Sequence, residues 1–257
     1  MEKPELMHSL LEPRALLEAL SLAIYWPLAG KTASGDAQPV LVIPGFMTGD
    51  GATFALRRYL NLNGFEALPW EQGRNPGLQQ VIFDALLQRV EQLYSQYGQP
   101  IAVVGWSLGG LYARALAHRS PGQIRQVITL GSPFTVNTRP DADVGVSDNI
   151  RRLYERLNPD QHSDPLLNGE PFWQQTPPVP TTAIYSRSDG IANWKYCVDS
   201  EIGQHNENIA IIGSHMGLTH NPMVYHLLLD RLQHAGRNFK PYRPGPFTRL
   251  IYKTATA

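Results

Sequence analysis

A single cysteine, Cys197, stands among 257 residues. That excludes an intrachain disulfide and any zinc or iron–sulfur centre built on a cysteine cluster. An excess of either charge is missing as well: 22 lysines and arginines balance 22 aspartates and glutamates. The electrostatic footprint of a nucleic-acid binder is therefore lacking, and no run of like charge forms a tail. No apolar run is long enough to cross a bilayer, and Met1-Glu-Lys-Pro-Glu5 does not have the basic-then-apolar order of a secretory signal. These absences lead to the expectation of a soluble, cytoplasmic protein whose partners are small molecules, not nucleic acid.

What is present suits one globular domain spanning residues 1–257, at 42% hydrophobic and 17% charged residues. Residues 1–38 read as an N-terminal helix and linker. Leu6 to Trp26 carries leucines at helical spacing, interrupted by Glu12-Pro13 and Glu18. This predicts an amphipathic packing helix, with weak contact to a membrane surface as the alternative.

From Pro39 onward, short apolar runs alternate with helical patterns. Strands are expected at Pro39–Gly45, Gly64–Trp70, Ile101–Val104, Gln126–Gly131, Thr181–Tyr185 and Asn208–Ile212. Helices are expected at Ala52–Leu62, Leu78–Tyr97, after Leu108, and at Pro222–Gln233. Such an order predicts an α/β fold: a mostly parallel sheet of about six strands with helices on both faces. Residues 134–180 break the rhythm, being rich in Pro, Asp and Asn, and read as a short cap or lid insertion with one helix at Asn149–Leu157. Ile150, Leu153 and Leu157 would line one face of that helix. Asp141, Asp143 and Asp148 share the insertion, but the turn glycine and liganding glutamate of a calcium loop are not at their spacing. No metal site is expected.

The sharpest local signal is Gly105-Trp-Ser-Leu-Gly109, between the apolar strand Ile101-Ala-Val-Val104 and a run of helix formers. A serine on so tight a strand-to-helix turn presents its hydroxyl above the sheet. Glycines are needed around it because a Cβ would collide with the neighbouring strand and helix. Reactive groups of a parallel sheet gather at the carboxyl ends of its strands. Ser107, Asp189 and His215 are all expected there. A serine hydroxyl needs a base to take its proton and a carboxylate to orient that base, and these three residue types supply the set. Asp199 is the rival acid and His220 the rival base.

With Ile43-Pro-Gly-Phe46, Tyr185-Ser-Arg-Ser-Asp189 and His215-Met-Gly-Leu218 added, the chain resembles the α/β-hydrolase superfamily over roughly residues 39 to 235. Within it, the chain is similar to small bacterial lipases and carboxylesterases. The order Ser107, Asp189, His215 is the superfamily's order. The resemblance implies backbone amides of Phe46 and Leu108 as the oxyanion hole, although Pro44-Gly45 stands where many relatives carry His-Gly. It further implies a serine hydrolase cleaving carboxylic esters or lipids through an acyl-serine intermediate, without metal or organic cofactor. Acyl transfer or thioester hydrolysis would use the same residues, and a non-catalytic binding protein could use the same fold. Trp106, Trp70 and Asn75 are the residues expected beside the substrate.

Overall fold

The computed structural model describes residues 3–25, 37–135, 145–160, 164, 166, 171–234, 239–246, 248–250 and 252–254. Most of the linker expected before β1, together with Asp141 and Asp143, lies outside them. Strands β1 (Gln38–Ile43), β2 (Phe65–Pro69), β3 (Ile101–Trp106), β4 (Ile124–Leu130), β5 (Thr181–Ser186) and β6 (Asn206–Ile211) form parallel pairs in the order β2-β1-β3-β4-β5-β6. A seventh strand, β7 (Lys253–Thr254), pairs antiparallel with β6. The sequence predicts about six strands because a two-residue strand shows no periodicity to read.

Apolar side chains point both ways from the central strands, which is why those strands read as continuous hydrophobic runs without alternation. Val40, Val42, Ala102 and Val104 pack on one layer with α3 (Phe54–Leu62) and α7 (Pro222–Gln233). Leu41, Ile43, Val103 and Val127 pack on the other with α4 (Gln80–Tyr97) and α5 (Leu108–Arg119). Local signals set the helix ends. Gly98, at φ 62°, closes α4 in the left-handed conformation and donates to Tyr94 O at 2.9 Å. Asn221 caps α7 by accepting from Met223 N at 2.9 Å, with Pro222 in the first turn.

The N-terminal segment departs from expectation. It is not one helix but α1 (Leu6–Leu10), a tight turn at Glu12–Arg14 and α2 (Ala15–Tyr25). Leu6 is 76% exposed and Leu16 72%, while Glu12, Arg14 and Glu18 turn inward and, of the leucines, Leu22 joins the core. The segment rests on loops at the carboxyl end of the sheet, which offer it backbone amides and carbonyls; polar side chains turn inward, and the leucines up to Leu20 face out. In the insertion, α6 (Asp148–Leu157) has Leu153 and Leu157 exposed and is seated by Tyr154, whose hydroxyl accepts from Leu78 N at 3.0 Å. Among the described residues no helix is long and apolar enough to cross a membrane.

Candidate active site

Ser107 occupies the single residue between β3 and α5, with φ 53° and ψ −124°. A side chain is strained in this left-handed geometry, which the surrounding elements impose. A Cβ on Gly105 would fall on the backbone of Gly109 and Gly110, and one on Gly109 would fall on the carbonyls of Ile43 and Pro44. The elbow closes only because both positions are glycine. Ser107 N donates to Leu130 O at 2.8 Å, fastening the turn to the end of β4.

The three groups expected at strand ends meet. His215 Nδ1 lies 2.6 Å from Asp189 Oδ2, and His215 Nε2 lies 2.9 Å from Ser107 Oγ. A carboxylate only accepts, so Nδ1 carries the proton given to Asp189 and Nε2 is left to accept from the serine hydroxyl. Asp189 is itself held: its Oδ1 accepts from Ile191 N at 2.9 Å and Ala192 N at 2.7 Å. Burial by itself would weaken the proton affinity of His215; the charge and hydrogen bond of Asp189, with the charge of Glu12 added, outweigh it and raise the pKa. Gly131, at φ 55° after β4, lies against this pair, where a Cβ would come within 3.2 Å of Asp189 Oδ2 and 3.3 Å of His215 Nδ1.

The rival residues are occupied elsewhere. Asp199 forms a buried ion pair with Arg114 of α5 at 2.7 Å. His220 Nδ1 lies 2.9 Å from Thr219 Oγ1.

After β1 the chain passes directly beside the serine: a Cβ on Gly45 would sit 3.1 Å from Ser107 Cβ. Among the described residues, neither Phe46 N nor Leu108 N donates to a protein acceptor. Leu108 N also opens α5, where the helix dipole favours an anion. The fold of this loop depends on Asn75. Its carbonyl accepts from Met47 N at 2.7 Å, its N–H donates to Thr48 O at 2.8 Å, and its side-chain amide donates to Pro44 O at 2.9 Å. Met47, at φ 60°, takes the left-handed turn that these bonds hold.

Of the residues expected beside substrate, Asn75 and Trp70 are both fully buried; Trp70 Nε1 donates to Gly73 O at 3.0 Å. Trp106 lies beneath the histidine, its Nε1 donating to His215 O at 3.2 Å with the two rings 5.9 Å apart. All three brace backbone around the site. The ring of Tyr154 from α6 meets that of Phe46 at 5.2 Å, so this helix touches the loop beside Ser107.

Sequence reasoning missed Glu12, Arg14 and Glu18. Their signal was visible only as charges interrupting the leucine pattern of the N-terminal segment. It also missed Gly131, one glycine in an ordinary strand-to-loop exit.

A parallel sheet with helices on both faces, a serine at a strained elbow after β3, and an acid and a histidine following β5 and β6 define an α/β-hydrolase. Residues 28–238 match the family described as "Putative esterase", and the chain belongs to that family. No curated protein sequence matches it. Among solved structures it is similar to Aspergillus fumigatus lipase B, with a TM-score of 0.58 and 19% identity, covering 82% of this chain and 55% of that one. The chain thus spans about half the length of that lipase. It is also similar to a soluble variant of monoglyceride lipase from Saccharomyces cerevisiae, with a TM-score of 0.54 and 16% identity, covering 79% of this chain and 87% of that one. A monoacylglycerol lipase from Paleococcus ferrophilus aligns with a TM-score of 0.54 and 12% identity over 76% and 95% of the two chains. At these identities the likeness is one of fold.

Proposed function

We propose that the chain hydrolyses carboxylic esters through an acyl-serine intermediate. His215 Nε2 takes the proton of Ser107 as Oγ attacks the ester carbonyl, and the C=O electron pair moves onto an oxyanion bound by the amides of Phe46 and Leu108. The tetrahedral intermediate collapses, the C–O bond to the alcohol breaks, and the imidazolium returns its proton to the leaving oxygen. Water, deprotonated by the same nitrogen, attacks the acyl-serine; the released acid leaves Ser107 protonated again. Asp189 keeps the imidazole in the required tautomer and stabilises its charged form. The observation that carries this reading is the unbroken chain of contacts from Asp189 through His215 to Ser107, at 2.6 and 2.9 Å.

A fluorophosphonate probe is expected to label the purified protein, and Ser107→Ala to abolish both labelling and turnover of short p-nitrophenyl esters. An unlabelled, inactive wild-type protein would remove the reading. The same panel extended to thioesters and to esters of increasing acyl length gives the substrate class.

A further inference from the structure

Asp189 and His215 are 26 residues apart and sit on loops that follow different strands. Their 2.6 Å contact exists only while those loops keep register. The N-terminal segment, which precedes the sheet and contributes no strand to it, bonds to both loops at once. The Glu12 carboxylate accepts three backbone amides: Oε1 from Gly190 at 2.8 Å and from His215 at 2.9 Å, and Oε2 from Met216 at 3.0 Å. One side chain therefore ties the residue after the acid to the amide of the base itself. Arg14 makes the complementary link, donating to Ser188 O and Gly213 O, each at 2.7 Å. Glu18 holds the next position, accepting from Ser214 N at 2.7 Å and from Asn221 Nδ2 at 2.9 Å.

We propose that Glu12 is a positioning residue for ester hydrolysis, acting through the backbone of Gly190 and His215 to hold the acid and base loops in register. This rests on the reading of Ser107, His215 and Asp189 given above. Charge-assisted bonds to a carboxylate are stronger than neutral ones, and a single acceptor shared by three amides leaves none of them free to drift independently. Small displacements are costly when a proton must pass between atoms in contact: about 1 Å can lower turnover by about a hundredfold. The position has an electrostatic consequence as well. Asp189 and Glu12 both add negative charge near His215. Glu18 lies one residue away on Ser214, Arg14 bonds to Gly213, and Cys197 lies near Asp189. Neutralising Glu12 alone takes one negative charge from the imidazole.

The test compares wild type, Glu12→Gln, Glu12→Ala, Ser107→Ala and Leu16→Ser on a soluble p-nitrophenyl ester, with kcat and KM measured across pH. Glutamine keeps the size of Glu12 but loses its charge and turns an N–H toward at least one backbone donor. Glu12→Gln is expected to lower kcat about ten- to hundredfold while KM moves by less than about twofold, and to shift the acid inflection of kcat to lower pH. Glu12→Ala is expected to lose at least as much, and Leu16→Ser, on the exposed face of the same segment, to match wild type. Wild-type kcat and pH profile in folded Glu12→Gln, with Ser107→Ala inactive, would overturn the positioning role and leave the hydrolase standing. A loss confined to melting temperature would overturn it too. If Glu12→Ala does not fold, Glu12→Gln decides; failure of that variant to fold makes Glu12 a folding residue and overturns the proposal. Activity in Ser107→Ala would instead remove the reading underneath.

Discussion

In the proposed mechanism His215 must be neutral at Nε2 to accept the serine proton, so anything that strengthens its hold on a proton narrows the pH range in which that step runs. Its pKa is raised, burial notwithstanding, by the charge and hydrogen bond of Asp189 and by Glu12. With kcat/KM measured from acid to neutral pH, activity is expected to rise through an inflection above the ordinary histidine value of about 6.5. The same shift has the opposite sign for stability. Protonated His215 is better stabilised folded than unfolded, so its contribution is full below the ordinary value and is lost as pH rises through the raised one. Activity and this part of stability therefore trade against each other across one window. Residue identity was readable unevenly at this scale. Ser107 announced itself because strand, glycines and helix formers all bear on one position. Asp189 and Asp199 both belong to loops beyond β5, and it is their partners that separate them: His215 for Asp189, the buried Arg114 for Asp199.

Among the elements, the loop after β1 is the one whose conformation least resembles its sequence signal. Nothing in Pro44-Gly-Phe-Met47 specifies a left-handed Met47; the brace comes from Asn75, in a loop beyond the next strand. Asn75→Ala is expected to leave Pro44 O buried and unpaired, costing about 1–3 kcal/mol of stability, and to lower kcat by loosening the amide at Phe46. Thermal unfolding and steady-state kinetics on the same preparation check both halves; unchanged kcat would mean the loop holds without its brace. Strands β1 to β6 and helices α3, α4, α5 and α7 are legible to within a few residues because each buries apolar side chains along its length. The N-terminal segment is not. Hydrophobic periodicity reports which side of a helix is apolar, and that side faces inward only where the surface beneath is apolar. Under α1 and the first turns of α2 the surface is the backbone of two loops, and the leucines up to Leu20 face away from it; Leu22, further along, meets apolar side chains and is buried.

At the scale of the molecule, the parallel sheet has two unlike ends. Ser107, Asp189, His215, the loop of Phe46, α6 and the N-terminal segment all gather where the strands finish. The turn leading into β4 lies at the other end, where that strand begins. Pro121-Gly122, before β4, is exposed, and a Cβ on Gly122 would meet nothing within 4 Å. A short Gly–Ser insertion between Pro121 and Gly122 is expected to leave kcat/KM within about twofold of wild type, measured on the same soluble ester; a larger loss would mean that strain travels along the sheet. For anyone building with this protein, the chain thus divides into a working rim and a mounting rim. Reporters, surface tethers and fusion joints belong on the second, from which the rim carrying Ser107 and His215 would face outward.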